Sequence, residues 1–240
     1  MSLPGPFQPL LAAFRGQQFK PTVILLCSPL LMVSWSYFGS PQFFHEWVSP
    51  RLGLWDDPRP AAAVYSFASC FLLLGVVPAA IIKLLFKERL ADYGVQLGDR
   101  VRTVRSFLIL APLFLLGAYA ASGGETIRQH YPINPTAGDS PTMFGLHCAS
   151  YLVFYVGWEF YFRGFMQSGL RATLGPANAL FVQVLASSLL HIGKPTGEIY
   201  AAILGGILWG LLAYRTRSLL SGLAQHALLG IALDWFICYG

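Results

Sequence analysis

Long apolar stretches with almost no charged residue recur along this chain, and they constrain its fold more than any other feature. A helix needs about 20 apolar residues to cross the hydrocarbon core of a bilayer, because it rises only about 1.5 Å per residue. The windows that can hold such helices are residues 21–44, 61–82, 106–124, 143–170, 176–192, 199–214 and 218–238. We therefore predict an all-α, polytopic membrane bundle of seven transmembrane helices. An eighth, short or interfacial helix is left open between Phe43 and Asp57.

The composition supports a membrane location and excludes several other classes of protein. Only 11% of the residues are charged and 55% are hydrophobic, whereas soluble domains carry about 25% charged residues. The net charge of +5 comes mostly from residues at the ends of apolar runs, so we predict no nucleic-acid partner. The four cysteines stand singly in apolar runs without a CxxC motif, which is typical of buried or lipid-facing side chains.

Basic residues also predict which ends of the helices face the cytoplasm. The longest polar connection, residues 83–105, carries six lysines and arginines, and the positive-inside rule places it in the cytoplasm. Alternation of the seven spans then puts eleven basic residues on the cytoplasmic side and four on the other side. We predict a cytoplasmic N-terminal lead-in over residues 1–20, which lacks the features of a signal peptide, and one membrane domain over residues 21–240.

A few ionisable residues interrupt the apolar windows, where a charge costs roughly 2.5–3.5 kcal/mol on insertion scales. Such residues normally face the interior of a bundle and mark a functional site. Those within the predicted spans are Glu159, Arg163, His191, His226 and Asp234, with His147 near the start of the fourth span. Glu159 and Arg163 are four residues apart on one helix face, so the guanidinium can neutralise or orient the carboxylate. A purely structural ion pair explains these two residues equally well.

Three of these side chains are predicted to meet between helices. Glu159 and His191 lie about 18–23 Å above the turn that joins the fourth and fifth spans, counted at about 1.5 Å per residue. A polar stripe on the seventh span, from His226 to Asp234, brackets the same level. A lone histidine in a membrane helix usually bonds to a neighbouring helix. Two histidines and a glutamate on three separate helices instead favour a shared site.

Three short motifs carry a resemblance to a known family. The first is "WEFYFRGF", which contains Glu159 and Arg163; the second is "SSLLH", which ends at His191; the third is "HALLG", which begins at His226. With these motifs, a core over about residues 143–236 resembles the CPBP intramembrane proteases. That group includes the type II CAAX prenyl endopeptidases and the bacteriocin-processing or Abi-type proteins.

The chain departs from the pattern of this family at three positions, the first of which is Ser187, where the second motif usually has phenylalanine. The family's first motif begins with two glutamates; here Trp158 replaces the first of them and Glu159 matches the second. The family's third motif ends in asparagine or aspartate, and here Gly230 stands in that place. Water activation in the family is usually assigned to the first glutamate. The base is therefore open between Glu159, which we favour, and Glu198 in "HIGKPTGE".

The resemblance implies hydrolysis of a peptide bond inside or at the edge of the membrane. Glu159 is expected to deprotonate a water molecule, His191 to hold that water and His226 to donate a hydrogen bond to the oxyanion. The supporting residues are Arg163, Glu198 and Asp234. Of these, Asp234 is expected to replace the missing asparagine and to orient the ring of His226. We expect no cofactor; the alternative is a zinc ion bound by Glu159, His191 and His226, although the chain has no HExxH motif.

The expected substrate is a membrane-anchored protein or peptide. We expect an integral protein of the bacterial inner membrane with its N-terminus in the cytoplasm, and the oligomeric state is left open. Two other classes are compatible with the residues: a non-catalytic membrane scaffold or immunity protein that keeps the fold, and a small transporter or channel. The lack of an internal sequence repeat disfavours the transporter, because many transporter folds show two matching halves.

Overall fold

The computed structural model describes residue 5 and residues 8–240 of the chain. Every regular element in this described part is a helix, which confirms the predicted all-α class. In chain order, the main helices are Gly16–Phe38 (α1), residues 41–52 (α2), Arg59–Phe86 (α3), Arg100–Ser122 (α4), Pro141–Leu189 (α5 and α6), Thr196–Thr216 (α7) and Leu220–Tyr239 (α8). All of these except α2 are long and apolar enough to cross a membrane, which makes six candidate spans among the described residues.

Two regions besides the spans bear on the predictions, although residues 16–20 of the second one already belong to α1. The short helix α2 occupies the region in which a short or interfacial helix was left open. The predicted lead-in, residues 1–20, falls partly on residues 1–4, 6 and 7, which lie outside the described residues. Its described part contains the short helix Gln8–Ala12.

The helix Pro141–Leu189 is 49 residues long, more than a bilayer needs, and it consists of two legs. Gly175 interrupts the helical backbone with φ 77° and ψ 163°, a conformation that glycine adopts far more readily than residues with a Cβ. We call the first leg, residues 141–174, α5 and the second leg, residues 176–189, α6. The second leg packs back along the first. With both legs counted, the long helices correspond to the seven predicted spans.

The middle of α5 is buried on all sides. Every residue from Gly157 to Gln167 is buried, and the aromatic residues of this segment belong to the larger hydrophobic cluster. The turns widen to π-helical geometry over Phe160–Ser168, a distortion that is frequent at functional sites. Gly157 allows α3 to pass closely, because a Cβ at this position would lie 2.7 Å from the Cα of Phe71. The charged segment is therefore at the centre of the bundle and does not face lipid.

Side-chain amides attach α7 to the α5–α6 hairpin. Gln167 of α5 donates a hydrogen bond to the carbonyl of Gly210, and Gln183 of α6 donates one to the carbonyl of Gly206, both at 2.9 Å. Glycine is needed for this approach, since a Cβ on Gly210 would lie 2.6 Å from the amide oxygen of Gln167. These bonds give the buried glutamines partners and fix α7 beside the charged segment of α5.

We expect the substitution Gly157→Ala to destabilise the protein by about 1–3 kcal/mol, because the added methyl group meets the backbone of α3, which cannot move aside as a side chain can. Gly145→Ala is the matched control on the same helix, since nothing lies within 4 Å of the atom added there. Thermal unfolding of the purified protein in detergent measures both variants. Equal midpoints would contradict the close contact between α3 and α5.

Candidate active site

Two polar stripes face each other along α5 and α8, which run antiparallel. On each helix the residues recur every four positions, so that they lie on one face. From one end of the contact to the other, the pairs are His147 with Asp234, Tyr151 with Gly230, Tyr155 with His226, and Glu159 with Gly222. The stripe on α8 was visible in the sequence analysis, and the same four-residue step on α5 would have revealed the tyrosines.

Glu159 lies at the centre of this contact and is almost fully buried. Its Oε1 accepts a hydrogen bond from Nδ1 of His226 at 2.7 Å and lies 3.3 Å from Nη1 of Arg163. Its side chain is 1% exposed and that of Arg163 is 2% exposed. Gly222 makes room for the carboxylate, because a Cβ there would be 2.9 Å from Oε2. The structure therefore brings together two of the three predicted catalytic residues with the predicted supporting arginine.

The second carboxylate oxygen of Glu159, Oε2, accepts no hydrogen bond from any group in the described part of the chain. The indole Nε1 of Trp209 is likewise buried without a partner there, and Trp209 lies beside Gly222 and Glu159. A buried polar group without a partner costs about 1–3 kcal/mol. Such atoms, gathered around one carboxylate, are typical of a site that completes its hydrogen bonds with a ligand or a water molecule.

Two aromatic side chains hold the ring of His226. Trp209 of α7 stacks on it with ring centroids 4.1 Å apart and an interplanar angle of 25°. The ring centroid of Tyr155, on α5, lies 4.7 Å from that of His226. Trp209 also lies 5.6 Å from the guanidinium carbon of Arg163, within the range of a cation–π interaction. The orientation of His226 is thus fixed by stacking as well as by its bond to Glu159.

His191 lies in the connection between α6 and α7 and contacts different residues from His226. Its Nδ1 donates a hydrogen bond to the carbonyl of Ser187 at 2.7 Å, and its ring meets the indole of Trp158 edge-on at 5.6 Å. Burial lowers the pKa of His191, which favours a neutral ring with Nε2 as an acceptor. His191 makes no hydrogen bond to Glu159. The tryptophan that replaces the first glutamate of the family motif is the residue facing this histidine.

Glu198, the alternative base, lies near the start of α7. Its Oε1 accepts a hydrogen bond from the hydroxyl of Tyr131 at 2.6 Å, and its Oε2 is buried with no partner among the described residues. The ammonium of Lys194 lies 4.4 Å from the centre of the Tyr131 ring. The negative charge of Glu198 favours the protonated ring of His191, but burial has the larger effect and lowers the pKa of His191. Both candidate bases therefore have one free buried oxygen, and the choice between them stays open at this point.

The structure gives Asp234 a different partner from the predicted one. Its Oδ2 accepts a hydrogen bond from Nε2 of His147 at 2.8 Å, and both side chains are fully buried. The carboxylate that orients His226 is that of Glu159, because Asp234 lies two helical turns further along α8. The prediction that Asp234 orients His226 is therefore corrected.

Gly230 provides room for a tyrosine hydroxyl. A Cβ at position 230 would overlap the hydroxyl oxygen of Tyr155 and would lie 3.5 Å from the ring of Tyr151. Tyr155 is 2% exposed. The place that asparagine or aspartate takes in the family's third motif is thus filled here by a phenol from the facing helix.

The predicted zinc alternative does not fit the arrangement of the side chains. No group of three histidine, cysteine, aspartate or glutamate side chains in the described residues is placed to hold a metal ion. Zinc requires its nitrogen and oxygen ligands at about 2.0–2.2 Å from one point. In the structure, Nδ1 of His226 bonds to Glu159 while Nδ1 of His191 bonds to the backbone of α6.

Residues 141–232 match the family model described as type II CAAX prenyl endopeptidase Rce1-like. The match begins at the first residue of α5 and ends within α8, so it contains Glu159, His191 and His226. No curated protein and no solved structure matches the chain.

We expect Asp234→Leu to destabilise the protein by about 3–5 kcal/mol, because it leaves His147 buried without its partner. The double variant His147→Phe/Asp234→Leu replaces the pair by apolar side chains and should recover most of the loss. Unfolding in mixed micelles measures both. Losses that simply add in the double variant would contradict a direct interaction between the two side chains.

Proposed function

Because residues 141–232 form a domain of the type II CAAX prenyl endopeptidase Rce1-like family, we propose that this chain is an intramembrane endopeptidase. The match confirms the resemblance that the three motifs indicated. The proposed reaction is hydrolysis of a peptide bond in a membrane-associated protein or peptide near the membrane surface. The observation that carries the proposal is the buried carboxylate of Glu159, held by His226 and Arg163 through one oxygen and free at the other.

Glu159 is proposed to be the general base. Since Oε1 is held by His226 and Arg163, Oε2 is the oxygen that can accept a proton from water. The resulting hydroxide attacks the carbonyl carbon of the scissile bond and forms a tetrahedral oxyanion. When this intermediate collapses, the C–N bond breaks and Glu159 returns the proton to the leaving amine.

The two histidines are proposed to act on different parts of the reaction. His191 carries its proton on Nδ1, bonded to Ser187, so its Nε2 can accept a hydrogen bond from the attacking water. His226 bonds to Glu159 through Nδ1, so it donates to the oxyanion through Nε2 only as an imidazolium. The carboxylate at 2.7 Å favours that form against burial and the charge of Arg163, which oppose it, and the oxyanion becomes its counter-charge as Glu159 takes up the proton.

Tyr155 is proposed to supply a second donor to the oxyanion. Its ring packs on His226, and its hydroxyl lies over Gly230, one turn after His226 on α8. In the family pattern the side chain at that place is an asparagine or aspartate. A phenol O–H in a buried site donates a hydrogen bond without having to reorganise when charge develops.

A second function is favoured by one specific observation. Trp158, which contacts His191, replaces the carboxylate to which the family's water activation is usually assigned. This replacement would be expected in a non-catalytic scaffold or immunity protein that retains the fold. The free oxygens of Glu159 and Glu198 argue for the enzyme, because a scaffold gains nothing from buried carboxylates with incomplete hydrogen bonding.

We expect Glu159→Gln to abolish processing of the substrate, because the amide cannot accept the proton of water. Comparison of membrane proteomes between cells carrying the wild type and each variant measures this as the accumulation of uncut membrane-anchored proteins. Glu125→Gln, at an exposed carboxylate in a connecting segment, is the control that should match the wild type. Accumulation of uncut protein with Glu198→Gln but not with Glu159→Gln would transfer the base to Glu198, and no difference from the wild type in either variant would favour the scaffold.

We expect Tyr155→Phe to lower the turnover of the processed protein found in that comparison by about 10²-fold, the typical effect of losing one oxyanion donor, with little change in KM. Tyr161→Phe is the matched control on α5, since the Tyr161 hydroxyl is also buried but bonds to the carbonyl of Ser28. It should change stability and leave turnover unaltered. Equal turnover for the two variants would remove Tyr155 from the mechanism.

A further inference from the structure

A cavity of about 380 Å³ lies where α4 begins and α7 ends. It is polar and is formed by two connections, the one that precedes α4 and the one that follows α7. The residues that line it are Gln96, Gly98, Asp99, Arg102, Arg215 and Arg217. It lies at one end of the bundle, beyond the last apolar turns of both helices, and none of its residues takes part in the proposed hydrolysis.

The walls of this cavity are held together by hydrogen bonds between the two connections. The backbone N–H of Asp99 donates to the carbonyl of Thr216 at 2.8 Å, and the side-chain amide of Gln96 donates to the carbonyl of Arg217 at 3.0 Å. The hydroxyl of Ser218 donates to the carbonyl of Gln96 at 2.5 Å. These bonds cross between segments more than a hundred residues apart, so they fix the shape of the cavity.

Arg217 ends α7 in a left-handed backbone conformation, which is a common way for a helix to end. Its φ of 55° lies in the left-handed region, which is uncommon for a residue other than glycine, asparagine or aspartate. Here the hydrogen bond from Gln96 to its carbonyl holds it in place.

The charges in the cavity are strongly unbalanced. The lining contains three guanidinium groups and one carboxylate, that of Asp99. The Oδ2 of Asp99 lies 3.4 Å from Nε of Arg102, and its Oδ1 caps the first turn of α4. Arg215 and Arg217 form no ion pair with any described residue. Two exposed cationic side chains therefore line the cavity without a counter-charge among the described residues.

We propose that this cavity binds the phosphate group of an anionic phospholipid headgroup. Its position at the ends of two membrane-spanning helices places it at the level of the headgroups, where basic pockets between helices recognise anionic lipids. Guanidinium groups bind phosphate through paired hydrogen bonds, which suits arginine better than lysine. A cavity of about 380 Å³ has room for a phosphate with its attached glycerol group. This site is independent of the proposed protease activity.

The test measures binding to the purified full chain in neutral detergent by titration calorimetry. The probes are dioctanoyl phosphatidylglycerol, dioctanoyl phosphatidylcholine and inorganic phosphate. The variant is Arg215→Gln/Arg217→Gln, and its control is Arg100→Gln/Arg105→Gln, which removes two exposed charges at the same end of the bundle but outside the cavity. Both doubles lose the same net charge, so only the cavity distinguishes them.

We expect the protein to prefer phosphatidylglycerol over phosphatidylcholine, and the cavity variant to lose about tenfold or more in affinity for it. The control variant should lose less than about twofold. Equal losses in the two variants would show a diffuse electrostatic field and overturn the site. Inorganic phosphate binding as tightly as phosphatidylglycerol would overturn the lipid as its source and indicate a soluble phosphorylated ligand.

Discussion

The structure depends on one buried contact, in which the carboxylate of Glu159 is held by His226 and Arg163 at the centre of an otherwise apolar bundle. A carboxylate removed from water is tolerated only where charge and hydrogen bonds replace its solvation. The rest of the central architecture serves this need. The segment around Glu159 is buried on all sides, the turns after it are widened, and Gly222 on α8 leaves space for the carboxylate itself. Helices that carried larger residues at these positions could not close around the charge.

The sequence predicted the elements that differ most from their surroundings. A charged residue within an apolar run is conspicuous, so Glu159, Arg163 and His226 could be identified and placed on facing helices. Tyr155 could be found only through its four-residue step on α5, and Trp209 could not be singled out, because aromatic side chains occur in every span of this chain. Their contacts with His226 depend on how α5, α7 and α8 are packed, which the residue pattern of one helix does not contain.

Asp234 shows where prediction from periodicity ends. The four-residue step correctly placed it on the same face of α8 as His226, but a face does not specify the level at which a neighbouring helix supplies a partner. That level is set by the antiparallel contact with α5, which brings His147 to Asp234 and leaves Glu159 for His226. The seven windows were recovered as helices for a simpler reason, since length and hydropathy are properties of each segment alone. The interruption at Gly175 joins two of them into one folded hairpin.

The short second leg of that hairpin has a consequence for the lipid around it. With 14 residues between Pro176 and Leu189, α6 spans about 21 Å, whereas the hydrocarbon core is about 30 Å thick. Lipids next to such a helix compress or tilt to match it, at a cost of a fraction of a kcal/mol per Å. A locally thin bilayer would bring the polar surface closer to His191, which follows α6, and to Glu198 at the start of α7. In the proposed protease, such a thin region would shorten the path of water and of a substrate segment through the acyl chains.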